Sequence, residues 1–203
     1  MGIFHDYTHS LWHNTGESAI SGAAMRALLL LPLLAGLGTA ASAADSIRVA
    51  TFNSSLYSDV SGGLIGRLRH DDAAARKIAA VIQHQRPDLL LLNEFDYDAE
   101  GKAADLFQEN YLAKPQFGQR PINYPYRYFA PVNTGVPSGF DLNKDGKNGG
   151  GNDAFGFGNH PGQYGMLVLS KFPIDQRSVR TFRHFLWKDM PSALAPVNAD
   201  GSP

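Results

Sequence analysis

An α/β fold follows from three features of the sequence. Two short apolar runs, Ile47 to Asn53 and Asp88 to Glu94, flank an alanine-rich stretch with helical periodicity. A third apolar run, Gly165 to Ser170, has the length of another buried strand. Strand, helix, strand with a right-handed crossover is a βαβ unit, and it lays the first two runs side by side and parallel. Each of those runs finishes on one polar side chain, the amide of Asn53 and the carboxylate of Glu94. The two then meet at one edge of the sheet. An amide oxygen beside a carboxylate, both on rigid strands, suits a hard divalent cation.

The elements follow in chain order. Arg26 to Ala43 reads as a secretory signal, with one positive charge, a short apolar core and Ala41-Ser42-Ala43 before the cleavage point. Pro32 and Gly36 interrupt that core, which is too short for an unforced transmembrane helix, so no stable span is expected once the signal is removed. Residues 1–24 contain no Lys or Arg, whereas Met25-Arg26 supplies both a start and a charge. Translation is therefore expected to begin at Met25, with 1–24 a mis-assigned extension, 25–43 the signal, and 44–203 the mature protein in the periplasm or outside the cell. His5, His9 and His13 share one helix face at a spacing acceptable for zinc, but they precede the signal and lack supporting partners.

Residues 47–53 form the first strand, and 54–70 a loop carrying Gly62, Gly63 and Gly66. Asp71 or Asp72 caps a helix running through Ala73 to Gln83, with Ala74, Ile78, Val81 and Ile82 as its inward stripe. Pro87 stops it. Residues 88–93 form a strand apolar on both faces, as a buried central strand should be. Ala103 to Tyr111 is a short helix, Tyr126 to Ala130 a strand, and 133–163 a long glycine-rich loop. Gly165 to Ser170 and Ser178 to Phe185 are two further strands.

The composition narrows the function classes. Hydrophobic residues make up 43% and charged residues 18%, which fits a globular domain. The absence of cysteine excludes disulfides, thiolate metal sites and a cysteine nucleophile. Acidic and basic residues balance from Ala44 onward, so no global field steers nucleic acid to the protein. Arg177, Arg180, Arg183, His184 and Lys188 are read as a solvated strand face.

Several of these residues carry a family resemblance. Ala50-Thr51-Phe52-Asn53, Arg86-Pro87-Asp88 through Asn93-Glu94, and Gly165 through Lys171-Phe172-Pro173-Ile174 together resemble the endonuclease/exonuclease/phosphatase superfamily. The resemblance covers about residues 46–190. Asn93 to Asp98, Asn133 to Asp141, Phe155 to Gly158 and Pro161 to Gly165 resemble a bacterial secreted branch of it. The resemblance implies a two-sheet α/β sandwich with outer helices, and a site where strand ends converge. It implies that Glu94 binds Mg²⁺ or Mn²⁺, and that Asn53 helps hold the metal and the scissile phosphate. The implied activity is metal-dependent hydrolysis of phosphodiester or phosphomonoester bonds. The substrate stays open between nucleic acid, lipid and small molecule. Phosphoester hydrolysis needs a cation to offset phosphoryl charge and a base to activate water, which agrees with such a pair.

The chain also departs from the family. A Gly-Asp-x-Asn segment and a C-terminal Ser-Asp-His segment, which carry the family's water-activating aspartate and catalytic histidine, do not occur in these 203 residues. Asp141-Leu142-Asn143 lacks the preceding glycine, and neither His160 nor His184 follows an aspartate. The expectation is an N-terminal portion of the domain with the C-terminal half missing. Apolar residues such as Leu89, Leu91, Leu167 and Leu169, or their alternates, would then face water, leaving residues 44–203 aggregation-prone and inactive.

Within the long loop, Asp141, Asn143, Asp145 and Gly146 match the first half of a calcium loop. Position 12 is Asn152 rather than glutamate, with Asp153 one residue later. Ca²⁺ ordering the loop is weighed against a solvated Asx/Gly turn. A non-catalytic, calcium-ordered secreted binding module of the same fold is the alternative to the enzyme.

Overall fold

A computed structural model of the protein describes residues 46–194 and 196–197. The expected start at Met25, the signal at 25–43 and the three histidines His5, His9 and His13 lie outside the described residues. Among the described residues no helix is long and apolar enough to cross a membrane.

The fold is α/β. Its strands are β1 (Val49–Leu56), β2 (Leu89–Phe95), β3 (Tyr126–Phe129) and β4 (Met166–Ser170), and its helices are α1 (Gly63–Leu68), α2 (Ala73–Gln85) and α3 (Lys102–Phe107). The four strands form one sheet in the order β1-β2-β4-β3. β1 runs parallel to β2, as the βαβ reading requires, with Val49 opposite Leu89 and Asn53 opposite Asn93. β4 is antiparallel to both β2 and β3.

Strand alternation assigns the two faces. Leu90 and Leu92 of β2 and Leu167 and Leu169 of β4 point to one side, where α1, α2 and α3 bury them. Burying such a side chain is worth about 1.5–3 kcal/mol. The other side carries Val49, Thr51, Leu89, Leu91, Met166 and Val168. Leu89, Leu91 and Val168 are half-buried there, and Val49 and Met166 are exposed. Of the leucines expected to face water, Leu167 and Leu169 are in fact buried, and only Leu89 and Leu91 lie on the open side.

Three sequence expectations need correcting. The segment 54–70 is not all loop, because α1 forms within it and buries Leu64 and Leu68. The inward stripe of α2 is Ala75, Ala79, Ile82 and Gln83, while Ala74 and Val81 are exposed and Ile78 is half-buried. A buried glutamine draws the stripe round. Gln83 Nε2 donates to the carbonyls of Leu112 (2.9 Å) and Lys114 (2.7 Å), and its Oε1 accepts from Gln116 N (3.1 Å). Those groups lie at the end of the π-helical turn that continues α3, Gln108–Leu112, and in the residues just after it. Finally, no strand forms at 178–185. Short 3₁₀ turns at Gln176–Ser178 and Trp187–Asp189 bracket an exposed stretch that pairs with neither sheet edge. Its apolar residues Val179, Phe182 and Phe185 recur every third position, which does not give a strand one apolar face.

The helix start was legible. Asp72 is the N-cap of α2, accepting from Ala75 N at 2.8 Å. Its carboxylate also pairs with Arg67 at 2.8 Å.

Candidate metal centre

Parallel pairing of β1 and β2 brings Asn53 and Glu94 together at their C-terminal ends. Asn53 Nδ2 donates to Glu94 Oε1 at 2.7 Å. Asn53 Oδ1 accepts from the backbone N–H of Ser55 at 3.2 Å, which fixes which way the amide faces. The amide therefore presents its nitrogen, not its oxygen, to the carboxylate.

The backbone here is irregular. Between Asn53 and Leu56 the register with β2 slips, so that Ser54 and Ser55 together face Glu94. This is a β-bulge, and bulges re-aim side chains at strand ends. Ser55 and Glu94 both have left-handed φ, at 48° and 53°. Strict alternation from Leu90 and Leu92 would aim Glu94 into the core. The left-handed residue resets the alternation, so that Phe95 is fully buried and Glu94 only half-buried. Ser54 pins this arrangement from inside, its hydroxyl donating to Asn93 O at 2.9 Å. Ser55 Oγ lies 3.3 Å from Glu94 Oε2. On the open face Asn93 Nδ2 donates to Thr51 Oγ1 at 3.1 Å.

The donor set fits a hard cation that keeps most of its water. Each oxygen of Glu94 has one protein donor, which leaves a lone pair on each for a ligand. Among the described residues no cluster of three or more His, Asp or Glu forms a cage. A single carboxylate with free lone pairs is a donor set that hard cations such as Mg²⁺ accept, water filling the rest of their shell.

A second polar group, which the motifs did not single out as a site, follows β2. Asp96, nearly fully buried, accepts from Ser58 N (2.8 Å) and Tyr164 N (3.0 Å), and His160 Nε2 approaches its carboxylate at 4.0 Å. Burial pushes the Asp96 carboxyl above the usual range, against the pull of those two N–H groups and of His160. His160 Nε2 and Gln163 Nε2 both contact the Ser58 carbonyl, at 3.0 and 2.9 Å. Asp96 and His160 line a cavity of about 410 Å³ with Ile65, Val132, Val136 and Arg183, and Asn53 and Glu94 are not part of its wall. A reader of the sequence could have found His160 only through the fold, since 64 positions separate it from Asp96.

The candidate calcium residues lie apart from this pair in sequence and are ordered by backbone donors. Asp141 accepts from Asp145 N (3.1 Å) and Gly146 N (2.9 Å), and Asp145 accepts from Lys147 N (2.9 Å) and from Asn143 Nδ2 (3.1 Å). The buried acid of the loop is Asp153, which accepts from Leu142 N and Gly149 N, each at 2.8 Å. The Gly149 N–H first, and the Leu142 N–H with it, hold its carboxyl below the usual range.

An α/β sheet with an amide–carboxylate pair at adjoining parallel strand ends places the protein among α/β proteins with a strand-end polar site. The chain belongs to the endonuclease/exonuclease/phosphatase family, whose model matches residues 50–203. Members of this family are hydrolases of the phosphoesterase and nuclease type. No curated protein matched the chain. One similar solved structure is an endonuclease/exonuclease/phosphatase from Beutenbergia cavernae DSM 12333, at 20% identity and a TM-score of 0.32. The match covers 63% of this chain and 26% of that one, so this chain spans about a quarter of that protein's length.

Proposed function

We propose that the protein is an extracytoplasmic phosphoesterase-family chain that binds Mg²⁺ or Mn²⁺ and a phosphoester at the ends of β1 and β2. The contact between Asn53 Nδ2 and Glu94 Oε1 at 2.7 Å carries this reading. Glu94 would hold the cation, with Asn53 fixing the carboxylate. When bound, the cation supplies charge that offsets the phosphoryl oxygens. Asn53 keeps its amide hydrogens toward the site, where one can also serve a phosphoryl oxygen. The extracytoplasmic location rests on the sequence pattern of residues 25–43 alone.

Hydrolysis also needs a base for water. Among the described residues neither Asn53 nor Glu94 hydrogen-bonds an aspartate or a histidine. We therefore propose that these 203 residues bind cation and phosphoester without turning the ester over. Mn²⁺ titration followed by electron paramagnetic resonance, with bis(p-nitrophenyl) phosphate hydrolysis in parallel, tests both parts. The expected result is saturable Mn²⁺ binding that Glu94→Gln abolishes, with hydrolysis at background. Absence of Mn²⁺ binding sinks the metal reading, and Mn²⁺-dependent turnover sinks the second part.

Ca²⁺ at Asp141, Asn143 and Asp145 is the second reading, that of a calcium-ordered binding module. It is favoured by the convergence of these side chains on the turn at Gly146, and calorimetry decides it: no heat at millimolar Ca²⁺ ends it.

A further inference from the structure

We infer that Ser55 is a positioning residue for the Glu94 carboxylate, holding by its hydroxyl the oxygen that Asn53 does not reach. The inference rests on the metal-binding reading of Glu94 and goes beyond it by assigning a role to a residue outside the strand-end pair.

Three observations converge on Ser55. The first is the bulge. Ser55 is on the same side of β1 as Thr51 and Asn53, because Ser54 and Leu56 are both buried on the core side. Its side chain therefore emerges where Glu94 does. The second is the division of acceptors. Asn53 Nδ2 serves Oε1 at 2.7 Å, and Ser55 Oγ lies 3.3 Å from Oε2. The hydroxyl has one proton and a second acceptor in reach, Asn53 Oδ1 at 3.4 Å. The charged oxygen is both the nearer and the stronger acceptor, and Asn53 Oδ1 already accepts from Ser55 N. The proton goes to Glu94. The third is the backbone. Seven non-glycine residues have positive φ among the described residues, and two of them, Ser55 and Glu94, face each other across this bulge. A left-handed serine is disfavoured, and glycine would relieve it. A glycine at 55 would, however, remove the donor to Oε2.

This conflict between backbone ease and the hydroxyl supplies the test. Ser55→Gly removes the hydroxyl while easing the backbone, and Ser55→Ala removes it while keeping the strained Cβ. A residue that only shapes the turn should be replaced by glycine without loss. A positioning residue should lose metal affinity in both variants, by about tenfold, as removal of a partner of a metal ligand typically does. The experiment measures Mn²⁺ affinity by electron paramagnetic resonance, and melting temperature by circular dichroism, in wild type, Glu94→Gln, Ser55→Gly and Ser55→Ala. The expected result is a melting temperature for Ser55→Gly at or above wild type together with about tenfold weaker Mn²⁺ binding, shared by Ser55→Ala. Mn²⁺ binding by Ser55→Gly equal to wild type, with Glu94→Gln defective, overturns the role of Ser55 and leaves the metal site standing. Wild type indistinguishable from Glu94→Gln overturns both.

Discussion

Gln83→Leu should destabilise this protein, although it replaces a polar residue with an apolar one of similar size in a buried place. Gln83 is 1% exposed and sits on the core face of α2. Its amide nitrogen donates to Leu112 O and Lys114 O, and its amide oxygen accepts from Gln116 N. Leucine fills the space and removes all three of these bonds, although Leu112 O still accepts from Ile122 N at 2.9 Å. A buried polar group stripped of its hydrogen bond costs about 1–3 kcal/mol. Lys114 is exposed, so its carbonyl can turn to water, which leaves the N–H of buried Gln116 stripped and a loss of about 1–3 kcal/mol. For a domain of this size each kcal/mol moves the melting temperature by about 2–4 °C, so a mid-range loss of about 2 kcal/mol lowers it by about 4–8 °C. Urea unfolding followed by circular dichroism measures this, with an unchanged slope showing that the unfolded state is not the cause. Gln83→Glu is the control. It keeps the acceptor but offers the carbonyls no donor, and should be at least as destabilised. A Gln83→Leu protein within 1 kcal/mol of wild type would refute the claim that this amide ties the π-helical turn to α2.

Two further outcomes follow from the scaffold. In Asp72, burial raises the carboxyl pKa but Arg67 and the Ala75 N–H together bring it below the usual value. A depressed folded pKa gives stability that is present above the unfolded pKa and lost as pH falls through the folded one. Wild type should therefore lose stability below about pH 4 more steeply than Asp72→Ala, which is already weaker by about 1 kcal/mol at neutral pH through loss of the cap; parallel curves for the two proteins in urea melts at pH 3 to 7 count against it. Gly135 has φ +70°, and a Cβ there would lie 1.8 Å from the His160 carbonyl oxygen. Gly135→Ala should displace the loop that carries His160, seen as a shifted His160 imidazole resonance by NMR, and an unmoved resonance would show that the close approach is not needed.

Asn53, Glu94 and the cap at Asp72 could be read from the sequence because each depends on local pattern. A run of apolar residues ending in one polar side chain fixes a strand end, and a βαβ unit has only one favoured hand. The pairing of β1 with β2 followed from that. What local pattern could not reach was the bulge. Ser54 and Ser55 read as the start of a loop, and only the register with β2 shows two residues set against one. That slip, with left-handed backbone at Ser55 and Glu94, turns Glu94 away from the core that Leu90 and Leu92 face. The same limit explains the rest. Gln83 is buried because a turn almost 30 residues later supplies its partners, and Asp96 meets His160 across 64 positions. The stretch 178–185 forms no strand, and its apolar residues Val179, Phe182 and Phe185 recur every third position rather than alternating. Periodicity and caps are properties of neighbours along the chain, whereas hydrogen-bond satisfaction and strand pairing depend on which distant groups the fold brings near.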